Sequence, residues 1–214
     1  MKLTFLALLL SLSISSVQSQ TIRPDLKDPR QWRIINRKME VIQENKKASV
    51  RLNALPGDGL LLLNGSKFGH GTVEFDVKGK NSPGQSFVGF AFHVQDDKTY
   101  EAVYFRPFNF MNSDSVRRAH SVQYVSHPAH TWDKLRESFP GKYENTVTPV
   151  PAPDDWFHVK IVVDASTIKA FVNNSEQPSL EVNKINKATA GNVAFWVGNN
   201  SEGSFANLVI QAAK

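Results

Sequence analysis

The 214-residue chain contains no cysteine. Disulfides, zinc-thiolate sites, thiol nucleophiles and redox dithiols are therefore excluded, and the folded state must rest on packing. Long apolar runs are also missing: none reaches the ~20 residues that cross a bilayer. Nor is there a basic stripe. The 25 Lys and Arg stand against 20 Asp and Glu, a formal net charge of +5, and clusters such as Lys46-Lys47 and Arg117-Arg118 stop at doublets. That pattern argues against nucleic acid as a partner, and it permits anionic ligands without demanding them. Helical periodicity is scarce.

The first residues, MKLTFLALLLSLSISSVQSQ, combine a charged start at Lys2, an apolar core over residues 3–10 and a small-x-small site at Val17-Gln18-Ser19. This is the pattern of a cleaved secretion signal. The expectation is a leader over residues 1–19, an N-terminal linker over 20–31 and one domain over 32–214. A chain exported without disulfides fits a bacterial periplasmic or secreted protein, with no membrane insertion once the leader is removed.

The remainder is a succession of short alternating runs punctuated by Gly, Pro, Asn and Asp. Val88, Phe90, Phe92 and Val94 share one face of a strand, and Gly89, Ala91 and His93 share the other. Phe157, Val159, Ile161 and Val163 repeat the pattern. Period-two alternation marks half-buried strands. Candidate strands also cover 32–36, 38–43, 49–53, 59–63, 71–78, 99–106, 120–126, 167–173, 179–182, 191–198 and 203–211. One short helix is expected over 131–139, with Thr131 as N-cap and Pro140-Gly141 as a stop. Many strands and one helix predict an all-β, two-sheet sandwich or jelly roll. Gly89 and Ala91 either leave room for a ligand or relieve crowding between strands.

One segment does not read as scaffold. Residues 100–143 hold three of the six histidines (His120, His127 and His130), with Arg106, Arg117, Arg118 and Arg136. A connection this long inside a domain is uncommon and, when ordered, usually functional.

At this level the chain resembles the concanavalin A-like lectin/glucanase superfamily, including laminin-G-type and 3-keto-disaccharide hydrolase domains. The resemblance rests on Gly71–Val77, on Trp156–Val163 with Ile168–Asn173, and on Gly191–Gly198 with Phe205–Ile210. Within the insert, Tyr100-Glu101, Tyr104, Arg106-Pro107 and Asn109, followed by His120-Ser121, Gln123-Tyr124 and Ser126-His127-Pro128, resemble a segment of exported bacterial members. The resemblance implies a concanavalin A-like sandwich that binds or processes carbohydrate. Calcium is the cation such sandwiches commonly hold, and Asp96-Asp97 is a candidate turn for it, or else a plain hairpin.

Glu74-Phe75-Asp76 resembles the catalytic strand of retaining laminarinase-type glycosidases, but Lys78 stands at the third carboxylate position. Retaining hydrolysis needs two carboxyl groups ~5 Å apart, so that enzyme is excluded. The motifs of sandwich-type alginate lyases are absent too.

The insert then supplies the candidate site. Tyr104 and Arg106 share a strand face; tyrosine stacks on sugars, and arginine forks onto carboxylates or paired oxygens. Asn109 and Gln123 carry the donor–acceptor pairs that read hydroxyl groups. Trp132 and Tyr143 are candidates for a sugar-stacking platform or else cap the loop's own small core, and Arg136 on the short helix is placed to point to the same pocket. His120 is suited to proton transfer near neutral pH, and Glu101, on the apolar face, is either its partner or a structural ion pair. The expected function is a glycan-processing hydrolase or lyase with His120 and Glu101 catalytic; a non-catalytic binding module or a laminin-G-like adhesion domain is the alternative. His127, His130 and Asp133 match no strong metal motif, so no metal site is assigned.

Overall fold

The computed structural model describes residues 20–44 and 47–213. The expected leader lies outside them. No helix among the described residues is long and apolar enough to cross a membrane.

Among the described residues, fifteen strands form two antiparallel sheets. The first sheet contains β1 (Gln20–Ile22), β3 (Met39–Glu44), β4 (Lys47–Leu52), β6 (Gly71–Lys78), β11 (Phe157–Val163), β12 (Thr167–Val172), β13 (Leu180–Asn183) and β15 (Gly203–Ala212). Its order is β13-β12-β11-β6-β15-β4-β3, with β1 pairing alongside β15. The second contains β2 (Trp32–Ile35), β5 (Gly59–Leu63), β7 (Val88–Val94), β8 (Tyr100–Phe105), β9 (Val122–His127), β10 (Glu144–Asn145) and β14 (Asn192–Val197). Its order is β10-β9-β8-β7-β14-β5-β2. The all-β sandwich expected from the alternation is the observed architecture.

The core lies between the sheets. Phe75 of β6 stacks on Phe90 of β7, centroids 5.3 Å apart, and meets Phe195 of β14 at 5.8 Å. Phe105 of β8 packs edge-on against Phe157 of β11 at 5.3 Å. Such pairs contribute ~0.5–1.5 kcal/mol beyond area burial. They fix which face of each strand is inward: Phe90, Phe105 and Phe195 point to the first sheet, so Tyr104, Gln123 and Trp196 point away from it.

Three short helices stand in the insert: α1 (Pro107–Phe110), α2 (Ser115–Arg118) and α3 (Trp132–Ser138). Asp114 caps α2 by accepting the Val116 N–H at 2.8 Å. Only α3 was expected. Its Leu135 is fully buried, and the helix packs on β9.

Two expectations need correction and one open alternative is decided. Residues 20–31 are not a bare linker: β1 pairs with the end of β15, and Leu26 is buried in the core. The strand expected from residue 120 begins at Val122, leaving His120 in the preceding turn. Gly89 does not leave room for a ligand. A Cβ there would lie 2.2 Å from the Val103 carbonyl oxygen and 2.6 Å from Tyr104 Cα, so the glycine permits close approach of β8.

Candidate functional site

A groove runs over the face of the second sheet that points away from the core. It has two halves sharing Phe87, Trp132 and Asn199 as walls. The larger, about 440 Å³, is lined by Arg106, Asn109, Arg117, His120 and Arg136. The smaller, about 210 Å³, is floored by Tyr104, Val125 and Trp196, with Asp58, His127 and Asp133 around it.

The polar half is built on Arg106, which is 5% exposed. Because β8 ends at Phe105, the Arg106 N–H turns to the Ser121 carbonyl at 2.8 Å. Its guanidinium donates through Nη1 to the His120 carbonyl at 2.8 Å, and through Nη2 to the Tyr104 hydroxyl and Gln123 Oε1, each at 2.5 Å. The Tyr104 hydroxyl in turn donates to Gln123 Oε1 at 3.0 Å. Burial pushes the Tyr104 phenol up to about 12, so it remains protonated. Asn109 Nδ2 donates to the His120 carbonyl at 3.2 Å. Arg106, Gln123, Tyr104 and Asn109 therefore hold one another and fix the turn carrying His120.

Glu144 completes the cluster from the edge strand β10, where it pairs with Gln123. Its side chain is 3% exposed. Arg136 donates to it twice, Nε to Oε1 at 3.0 Å and Nη2 to Oε2 at 2.7 Å, and Arg106 Nη1 lies 3.9 Å away. His120 Nδ1 approaches Glu144 Oε2 to 2.8 Å, but the angle falls outside that of a formed hydrogen bond. Burial, opposed by Glu144 and reinforced by Arg136 and Arg106, lowers the His120 pKa, so its ring is neutral at physiological pH. Arg136 also lies 5.1 Å from the Trp132 ring, which is 48% exposed over the groove.

Of the residues singled out by sequence, His120, Arg106, Asn109, Trp132 and Arg136 line the polar half, and Tyr104 floors the other. Gln123 is buried beneath them and supports rather than lines. Glu101 is elsewhere. It is wholly buried on the core-facing side, where His93 Nδ1 lies 2.6 Å away, the Tyr124 hydroxyl donates to it and Lys184 Nζ sits at 3.9 Å. The register places Phe105, not Glu101, opposite Val122, and four residues of strand amount to ~13 Å. The pairing of Glu101 with His120 as one catalytic unit is thus corrected: the carboxylate beside His120 is Glu144. Sequence reasoning missed it, along with Phe87, Trp196 and Asn199. The one available signal was charge balance, since a buried arginine-rich insert requires a carboxylate.

The other candidates resolve simply. Among the described residues, no group of three or more His, Asp or Glu is arranged to hold a metal ion. Asp96 Oδ1 is occupied by the N–H groups of Lys98 and Thr99 at 2.8 and 2.7 Å, a closed turn that does not fit a calcium ligand set. Glu74 and Asp76 face outward on the first sheet, paired to His158.

The model of the 3-keto-alpha-glucoside-1,2-lyase-like domain family matches residues 25–211. The chain belongs to that family. Membership makes this 3-keto-alpha-glucoside-1,2-lyase-like chain a carbohydrate-active or carbohydrate-binding domain of the concanavalin A-like superfamily. No curated protein matches it. Solved structures share its fold at low identity. The carbohydrate-binding module CBM66 from Bacillus subtilis has a TM-score of 0.61 at 14% identity, covering 84% of this chain and 95% of that one. The kappa-carrageenase from Pseudoalteromonas carrageenovora, in complex with an oligotetrasaccharide, has 0.55 at 13%, covering 92% and 97%. Domain 4 of the extracellular GH43 arabinanase AbnA from Geobacillus stearothermophilus, with arabinotriose, has 0.52 at 14%, covering 85% and 82%. At these identities the likeness concerns the fold.

Proposed function

We propose that the chain is a lyase acting on a keto sugar held in the polar half of the groove, with His120 as the base. The observation that carries this reading is the composition of that wall. It presents a neutral histidine among Arg106, Arg117 and Arg136, and no Asp or Glu lines it. Hydrolysis of a glycoside ordinarily uses two carboxyl groups flanking the bond. Elimination beside a ketone needs a base and a cationic environment for the developing enolate.

With a ketone at C3 of the sugar, the C2 proton is acidic. His120 takes that proton, the electron pair forms the C1–C2 double bond, and the C1–oxygen bond breaks. The departing oxygen takes up a proton, and an enone is left. Glu144, 2.8 Å from His120 Nδ1, balances the imidazolium that forms, as a carboxylate does behind a catalytic histidine. Arg106 and Asn109 hold the His120 turn, and Trp132 offers a face for the sugar ring. The leader pattern over residues 1–19 supports a secreted or periplasmic location.

The test is turnover of methyl 3-keto-α-glucoside, followed by enone absorbance. His120→Gln is expected to lower kcat at least ~100-fold, the scale of losing a general base. Unchanged turnover removes His120 from the chemistry. The second reading, a carbohydrate-binding module, is favoured by the internal use of the Arg106 donors and by the exposed Trp132. Saccharide binding without turnover selects it.

A further inference from the structure

The second, smaller half of the groove differs in kind from the first. Its lining includes the aromatic residues Phe87, Tyr104, Trp132 and Trp196, and its volume of about 210 Å³ is of the order of a single aromatic ring, given that a ~150 Å³ apolar cavity accepts benzene. Several of its polar atoms are already engaged. Asp58 Oδ2 accepts the Tyr100 hydroxyl at 2.7 Å, and Trp196 Nε1 donates to that same hydroxyl at 3.2 Å. The Tyr104 hydroxyl is held by Gln123 and Arg106, and Asn199 Oδ1 accepts the Gly57 N–H at 2.7 Å. A hydroxylated ring would find few partners there, and buried hydroxyl groups without partners are costly. Thr131 Oγ1 is buried without a formed hydrogen bond and gives the wall an open polar point, and the His127 ring lies stacked on Tyr100. The charges around the rim include the carboxylates Asp58 and Asp133, which disfavour anions.

We propose that this half is the subsite for the group carried on the sugar's C1 oxygen, and that it selects a planar aglycone of about one aromatic ring that bears no negative charge. The proposal rests on the reading that the sugar lies in the polar half beside His120, because the two halves adjoin at Trp132. The substrate class is then an aryl glycoside rather than a glycoside of an anionic or heavily hydroxylated partner.

Calorimetric titration with methyl α-glucoside and phenyl α-glucoside tests it. The phenyl compound is expected to bind at least ~10-fold tighter, a modest return for burying one ring. Val125→Phe, which fills the floor, is expected to bring the ratio near one, with thermal melting as the check on folding. Should that variant not fold, filtered NOE spectra of the unaltered protein decide: contacts from the phenyl protons to the Trp196 indole and Val125 methyls support the subsite, and their absence overturns it. Equal affinities for the two glucosides overturn the subsite and leave the lyase reading intact. If neither glucoside binds but phenol alone gives those contacts, the half takes an aromatic ring that is not an aglycone, and the subsite falls together with the sugar-processing reading. No binding of any probe overturns both.

Discussion

The outward faces of the two sheets obey opposite rules. On the first sheet the alternation is kept: β11 and β12 bury every second residue, and the residues between are half exposed. That face is wetted by ion pairs such as Asp76 with Lys47 at 2.7 Å and with His158 at 2.9 Å. On the second sheet β7 and β8 are buried on both faces, and α3 of the insert packs on the neighbouring β9. A strand buried on both sides within an antiparallel sandwich signals a third layer. Here that layer and the sheet beneath it enclose the groove. Polar groups therefore meet a dry environment on one sheet and a wet one on the other.

The sharpest way to break this comparison is to remove one carboxylate from each face. Glu144→Ala leaves Arg136 and Arg106 without their buried counter-charge and is expected to cost about 3–5 kcal/mol. Asp76→Ala removes charged hydrogen bonds from Lys47, His158 and Asn207, whose side chains can turn to water, and is expected to cost about 1.5–3 kcal/mol. Denaturant unfolding of both variants measures the difference. Equal costs would mean that the covered face is no drier than the open one.

A smaller effect is expected from one added methyl. Gly89→Ala forces the Ala side chain into the backbone of β8, and overpacking of this sort costs about 1–3 kcal/mol. On the first sheet, Lys169→Ala breaks only the exposed pair with Glu181 and should stay within about 0.5 kcal/mol. Thermal melts compare them. A neutral Gly89→Ala would show that the β7–β8 approach can relax.

The same contrast explains what could be read from the amino-acid string. Alternation over Phe157–Val163 and Val88–Val94 exposed the sandwich because a half-buried strand imprints its period on the residues. It could not show the third layer, since outward-facing Ala102 and Val125 look like ordinary strand residues until something covers them. Helices α1 and α2 have four residues each, too few for a periodic signal. Among the site residues, Arg106, Asn109 and Trp132 were legible because polar and aromatic side chains crowd one long connection. Glu144 was not: a lone acid in a two-residue edge strand acquires meaning only through long-range pairing. Glu101 misled for the converse reason. An acid on an apolar face must have a partner, but the sequence does not say that the partner is His93 across the strand pair rather than His120.

The subtlest difference lies in pH, and its sign is opposite on the two faces. On the open face Asp76 raises the His158 pKa by accepting its hydrogen bond, with Glu74 at 3.4 Å adding to the effect against burial. That contribution is fully present below the unfolded histidine value, ~6.5, and is lost as pH rises through the raised folded value. On the covered face burial lowers the His120 pKa, outweighing Glu144 with help from Arg136 and Arg106. The unfolded chain then binds the proton more readily, so stability is present above ~6.5 and declines as pH falls toward the lowered folded value. Asp76 does not confuse this window: burial alone would raise its carboxyl, but His158, Lys47 and Asn207 hold it at about 2. Subtracting the stability curve of each His→Gln variant from that of the parent between pH 5 and 8 isolates the two terms. The difference for His158→Gln should shrink toward alkaline pH, and that for His120→Gln should shrink toward acid. If both slopes share one sign, the two histidines sit in like environments, and the dry groove on which the His120 chemistry depends is lost with them.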